Sequence, residues 1–203
     1  MNNFEYRPQD ITAVILAGGQ SRRMGGIDKG LIEFQGKPMV QHVIQALLPD
    51  VSTLFINANR NFDGYEALGY RVLPDRIEGF LGPLAGMASG MYAATTKYIV
   101  TAPCDCPLVS IGLVRRLYQA VQNENAQIGV ANDGERMHPV FALIQRDLLP
   151  DLAAYLESGE RKIDRWYARH RVSVVRFDDV PQWFQNVNSP EEHAELENVI
   201  PWR

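Results

Sequence analysis

Apolar residues in this chain fall in two alternating rhythms, and the alternation predicts the fold class. Residues 12–16, 53–57, 71–73 and 98–102 are short, nearly continuous apolar runs, the pattern of strands buried on both faces. The stretches between them have helical spacing. Met39, Val40, Val43, Ile44, Leu47 and Leu48 share one face of a helix over 38–48, with Pro38 at its first position. A short helix is expected over 62–68 and a helix rich in small residues over 84–94. Ser110 is the expected cap of a further helix reaching about Gln122.

The second half is less regular. Residues 127–131 and 139–144 read as strands flanking the turn Asn132-Asp133-Gly134-Glu135, and 172–177 as a late strand. Helices are expected over 147–157 and 162–168. Ser189-Pro190-Glu191-Glu192 has the form of a capping box opening a terminal helix. Strand–loop–helix repetition through roughly the first 125 residues requires right-handed crossovers and a mainly parallel sheet. The later hairpin-like pair makes that sheet mixed and adds a lobe. No internal repeat, low-complexity tract or linker interrupts the chain. Residues 1–203 therefore read as one α/β domain, with a first half to ~125 and a second from ~126.

Composition narrows the classes. With 46% hydrophobic and 22% charged residues the chain is an ordinary globular sequence. A net charge of -4 and a pI near 5.6 argue against a general nucleic-acid or anionic-membrane surface. An anionic small ligand needs a local basic patch instead. Residues 1–10 are polar, so no secretory signal is expected, and the apolar run before Arg22-Arg23 is on the wrong side for twin-arginine export. No apolar stretch approaches the ~20 residues of a membrane span. Cys104 and Cys106 stand too close for a good structural disulfide, which fits a reducing cytosol. Zinc needs about four ligands, and there is no second cysteine pair to supply them.

The local basic patch follows the first strand, in Leu16-Ala17-Gly18-Gly19-Gln20-Ser21-Arg22-Arg23-Met24-Gly25-Gly26-Ile27-Asp28-Lys29. An open α/β sheet binds ligands at this position, the carboxyl end of a strand. Gly18 and Gly19 leave backbone amides unobstructed for phosphate oxygens. Arg22, Arg23 and Lys29 add cations, and a triphosphate carrying about four negative charges needs them. The dinucleotide pattern G-x-G-x-x-G is absent. The Walker spacing fails too, because Leu31 follows Gly30 where lysine is required. Asp105, inside Pro103-Cys104-Asp105-Cys106-Pro107, would stand at the same sheet edge after the 98–102 strand, where a carboxylate can hold Mg2+ against a triphosphate.

The full run from Ile15 to Leu31 resembles the glycine-rich loop of the molybdenum cofactor guanylyltransferases, within the nucleotidyltransferases. Sugar-nucleotide members usually carry proline before the lysine, where this chain has Asp28. The resemblance extends from about Ile11 to Glu192 and is densest before residue 110. It implies a three-layer Rossmann-like nucleotidyltransferase fold. It also implies transfer of GMP from GTP to the phosphate of molybdopterin cofactor, with pyrophosphate as the second product. On this resemblance Arg23, Lys29 and Asp105 are catalytic and Asp105 is the Mg2+ ligand. Leu16, Ala17, Gly18, Gly19, Lys29, Asn57, Asp75, Gly82 and Asp105 bind GTP.

Other segments carry two readings each. Asn57-Ala58-Asn59 ends a strand, where asparagine either reads a base or forms a turn. Gly82-Pro83-Leu84-Ala85-Gly86 opens a helix facing an anion, or packs closely on the sheet. Asp133–Pro139 and Asn186–Pro190 are a charged turn and a helix cap. By resemblance they supply His138, Asn186 and Asn188 to the pterin acceptor. A cytidylyltransferase on the same pterin and a sugar- or polyol-phosphate nucleotidyltransferase are the alternatives. An unstable acceptor suggests handover to delivery or recipient molybdoenzyme proteins, with no nucleic-acid or membrane partner.

Overall fold

The computed structural model describes residues 5–19, 28–77, 82–187 and 192. Nine strands form two sheets: β1 (Ile11–Leu16), β2 (Glu33–Phe34), β3 (Lys37–Pro38), β4 (Thr53–Asn57), β5 (Arg71–Leu73), β6 (Tyr98–Pro103), β7 (Ile128–Asn132), β8 (Met137–Gln145) and β9 (Val172–Arg176). Seven of them make one sheet in the order β5-β4-β1-β6-β8-β7-β9. Strands β5, β4, β1 and β6 are parallel, β8 runs antiparallel to both its neighbours, and β9 is parallel to β7. The mixed, mainly parallel sheet is the one the alternation predicts.

Two apolar layers sandwich the sheet, and β1 shows how. Ile11, Ala13 and Ile15 point into one core, Val14 into the other. A central strand buried on both faces cannot alternate polar with apolar, hence its near-continuous apolar sequence. The first core holds α1 (Met39–Leu47), α2 (Phe62–Glu66) and α4 (Leu113–Asn123); the second holds α3 (Pro83–Ala93), α5 (Leu149–Glu157) and α6 (Ile163–Tyr167). The result is three layers, α/β/α. Among the described residues no helix is long and apolar enough to cross a membrane.

Helix α3 lies unusually close to the sheet because its contact residues are glycines. A Cβ at Gly90 would sit 2.5 Å from Val14 Cγ2, and one at Gly86 would be 2.8 Å from Leu16 Cδ2 and overlap Asn57 Oδ1. Both distances are shorter than real carbon contacts.

Several local expectations are corrected. Pro38 precedes α1 instead of opening it, since it pairs with Glu33 in the β2–β3 ribbon. The turn of that ribbon, Gln35-Gly36, has positive φ at both residues (48° and 75°), as tight hairpins require. Ser110 does not cap α4; Gly112, at φ 107°, stands at the cap, and its left-handed backbone stops the helix from beginning earlier. A 3-10 turn, Arg146–Leu148, delays α5 to Leu149. The expected terminal helix at Ser189 lies outside the described residues.

Candidate active site

Strands β4, β1 and β6 are adjacent and parallel, so their carboxyl ends open at one edge. Leu16, the last residue of β1, is in register with Asn57 on one side and Pro103 on the other. Backbone bonds carry the pairing past the strand ends: Ala17 N donates to Asn57 O (2.8 Å) and Cys104 N to Leu16 O (3.1 Å). Gly18 then passes Asn59, whose Nδ2 would lie 3.1 Å from an added Cβ, while nothing stands within 4 Å of one at Gly19. The glycine run thus leaves the sheet between β4 and β6, with open space beside Gly19. Arg22 and Arg23 lie outside the described residues.

Lys29 and Asp105 meet at this edge. Lys29 Nζ donates to Asp105 Oδ2 at 3.2 Å, and both side chains are mostly but not fully buried. They come from different segments: Lys29 from the end of the glycine-rich stretch, Asp105 from the turn after β6. A cation that can bind phosphate and a carboxylate that can bind a divalent ion therefore share one point. Among the described residues no group of three or more His, Cys, Asp and Glu could hold a metal. A lone carboxylate of this kind suits a hard ion held also by oxygens of a bound substrate. Cys104 and Cys106 are free and buried, and burial, followed by the Asp105 charge, pushes both thiols up.

The weak signals at Asn57 and Asp75 turn out to be one network. Asn57 Nδ2 donates to Leu73 O (3.0 Å) and Asp75 Oδ1 (2.9 Å). Asn59 Nδ2 donates to Asp75 Oδ2 (2.8 Å), and Asp75 N returns a bond to Asn59 Oδ1 (2.8 Å). Asn57 is buried, held by its amide and pressed by Gly86 from above. Gly82 caps α3 with φ 76°, a value open to glycine, and leads Pro83 into the helix. Its side-chain direction is empty within 4 Å. The first turns of α3 thus stand beside Asn57 at the same edge.

The C-terminal segment docks on the Asp105 turn. Val187 N donates to Asp105 O (2.9 Å), and Cys106 Sγ donates to Asn186 Oδ1 (3.0 Å). Val187 is fully buried against Phe34 and Met39. Asn188 lies outside the described residues. His138 is tied into its own hairpin: Nε2 is 2.6 Å from Asp133 Oδ2, and the ring stacks on Phe184 with centroids 4.5 Å apart. The Arg136 backbone N–H, and then the His138 ring, hold the Asp133 carboxyl well below the usual carboxylate range. Phe184 links His138 to the segment that reaches Asp105.

Sequence reasoning passed over Arg60 and Asn61. Both side chains converge on Asp28, the residue before Lys29, which is itself almost wholly buried. The available signal was the cation in the Asn57–Asn61 run, one strand away from a carboxylate that burial obliges to find a partner.

The chain is similar to known proteins over most of its length. The model of the MobA-like NTP transferase domain matches residues 13–174. The molybdenum cofactor guanylyltransferase of Shewanella sediminis is 48% identical over 190 residues, covering 94% of this chain and 97% of that protein. The protein of the same name from Shewanella sp. strain MR-4 is 50% identical over 186 residues, covering 92% and 94%. Among solved structures, molybdopterin-guanine dinucleotide biosynthesis protein A from Archaeoglobus fulgidus shares the fold, with a TM-score of 0.76 at 19% identity over 93% of this chain and 97% of that one. A glycine run at the end of a parallel strand, a lysine and an aspartate paired at 3.2 Å, and this breadth of likeness make the chain a member of the MobA-like NTP transferases, in the molybdenum cofactor guanylyltransferase family.

Proposed function

We infer that this chain transfers GMP from GTP to the terminal phosphate of molybdopterin cofactor, giving the guanine dinucleotide form and pyrophosphate. One observation carries the reading: Lys29 and Asp105 face each other at 3.2 Å where an open parallel sheet binds ligands. The names of the relatives supply the base and the acceptor. Residues 1–203 act as one domain, the first half binding nucleotide and the second the acceptor.

The reaction moves a phosphoryl-linked nucleoside between two oxygens. An acceptor-phosphate oxygen attacks the α-phosphorus in line, the bond to the β-phosphate oxygen breaks, and pyrophosphate leaves with that electron pair. The acceptor is ionised near neutral pH, so no general base is required. What the protein supplies is positioning and charge neutralisation. Backbone amides of Gly18 and Gly19, which follow Leu16 and Ala17 at the end of β1, cradle the triphosphate, and Lys29 and Arg23 offset charge on it. Asn57 and Asp75 shape the nucleoside side, with Gly82 at the α3 end. Asn186, Asn188 and His138 face the pterin. Asp105 fits a Mg2+ ion, which when bound to the triphosphate withdraws charge from the oxygens around the α-phosphorus. We assign the cytoplasm as compartment, in keeping with two buried, unbridged thiols. Handover of product to recipient molybdoenzymes or their delivery proteins completes the reading.

Thermal-shift titration with Mg2+ and either nucleotide tests the base choice. A hundredfold excess over Kd contributes about 2.7 kcal/mol, so GTP is expected to raise the midpoint by roughly 5 to 10 °C and CTP by much less. A larger shift with CTP overturns the guanylyl reading and leaves a cytidylyltransferase.

A further inference from the structure

We propose that Arg60 is a positioning residue for Lys29, joining Gly19 to Asp28. The inference rests on the reading of Lys29 as a GTP ligand. Arg60 Nη2 donates to Gly19 O at 3.2 Å, and Arg60 Nε donates to Asp28 Oδ1 at 2.5 Å. Gly19 and Asp28 are nine positions apart in sequence and bracket the cationic run. One planar guanidinium spans both, a geometry its fork permits and an ammonium does not.

Two diverted helix caps point the same way. Asp28 occupies the cap of the 3-10 turn that carries Lys29, yet its side chain makes no capping bond. Asn61 occupies the cap of α2, in a left-handed conformation at φ 51°, and makes none either. Asn61 Nδ2 instead donates to Asp28 Oδ2 at 2.9 Å. Asp and Asn are among the best capping residues, so both ends forgo local helix stabilisation for the tertiary clasp. The Asp28 carboxylate is 1% exposed, and its charge is met by Arg60. That pairing makes Arg60 a fixture of the loop and leaves its charge largely spent before any phosphate arrives.

The residue on the other side of Lys29 is fixed as well. A Cβ at Gly30 would meet Tyr65 Oη at 2.9 Å and Cys104 Cβ at 3.0 Å, so Gly30 is pressed against the residue next to Asp105. Lys29 is therefore held between a clasp to the β4 end and a contact to the β6 end. With both neighbours pinned, the Lys29 backbone is fixed where its side chain reaches Asp105 at 3.2 Å. Loosening the clasp releases one of the two.

The test is a double-mutant cycle on GTP affinity, measured by calorimetry with Mg2+ on the full chain, Arg60→Lys, Lys29→Ala and the double variant. Arg60→Lys keeps a positive charge beside Asp28, and circular dichroism and the thermal midpoint report its folding. If Arg60 acts through Lys29, Arg60→Lys weakens GTP binding roughly tenfold in the natural background and less than twofold once Lys29 is alanine. Equal weakening in both backgrounds, or none in the first, overturns the proposal. Should Arg60→Lys not fold, the neutral pair Asp28→Asn with Arg60→Gln, which buries no charge, takes its place in the same cycle. Failure of the unaltered chain to bind GTP overturns the functional reading, and the clasp's role with it.

Discussion

Replacing Asp105 by alanine is expected to abolish pyrophosphate release while leaving the fold intact. On the proposed function this carboxylate would hold Mg2+, and losing one preorganised charge contact of this kind typically costs a hundredfold or more, about 3 to 4 kcal/mol of barrier. Stability should change little. The Lys29–Asp105 pair is a single contact at 3.2 Å between mostly buried side chains, but the Lys29 ammonium keeps access to water and can resolvate once Asp105 is gone, which holds the cost to about 1 kcal/mol. The backbone of the turn stays tied by Val187 N to Asp105 O. A midpoint within roughly 4 °C of the natural chain, together with no detectable turnover, is the expected result. Near-normal turnover would remove Asp105 from the mechanism, and gross unfolding would show that its part is structural.

Gly86→Ala is expected to lower both stability and nucleotide affinity, although it adds one methyl group far from any charge. That methyl would overlap Asn57 Oδ1 and stand 2.8 Å from Leu16 Cδ2. Neither can retreat. Asn57 is pinned by its amide to Leu73 O and Asp75, and Leu16 lies between two paired strands. Either α3 moves off the sheet or the Asn57–Asp75 network breaks. Overpacking of this kind costs about 1 to 3 kcal/mol, a fall of roughly 3 to 10 °C in midpoint for a chain of this size. Gly19→Ala is the control for the thermal midpoint alone, because nothing stands within 4 Å of its added carbon, while its amide belongs to the proposed phosphate cradle. Calorimetry on both variants distinguishes the cases. An unchanged midpoint in Gly86→Ala would mean that the tight α3–sheet approach carries no weight.

The sheet was largely legible in the sequence because burial on both faces leaves a strong mark. Residues 53–57 and 71–73 are strands at the predicted bounds, and β1 and β6 differ from expectation by one residue. Short elements were not legible. A two-residue strand such as β2 has no period to detect, so Pro38 looked like the start of α1 when it belongs to a ribbon. Ser110 has the right chemistry for a cap, yet the left-handed backbone at Gly112 decides where α4 begins. Strand order was out of reach, since β8 inserts between β6 and β7 and nothing local encodes that choice.

The site divides similarly. Lys29 and Asp105 could be singled out because their residue types and loop positions demand charge chemistry. Asn57 and Asp75 looked weak one at a time and gain their meaning only as a network. Arg60 was missed because a buried carboxylate at Asp28 is not visible from sequence, and without it Arg60 is an ordinary surface cation. Guanine itself rests on family likeness and not on any spacing of residues.

Turnover with both nucleotides tests that centre of the account most directly. The purified chain, Mg2+ and molybdopterin cofactor are incubated with GTP or CTP, and pyrophosphate and dinucleotide product are quantified together. GTP is expected to give guanine dinucleotide and pyrophosphate in equal amounts, with little of either from CTP. Faster pyrophosphate release from CTP, accompanied by a cytosine dinucleotide, would contradict it.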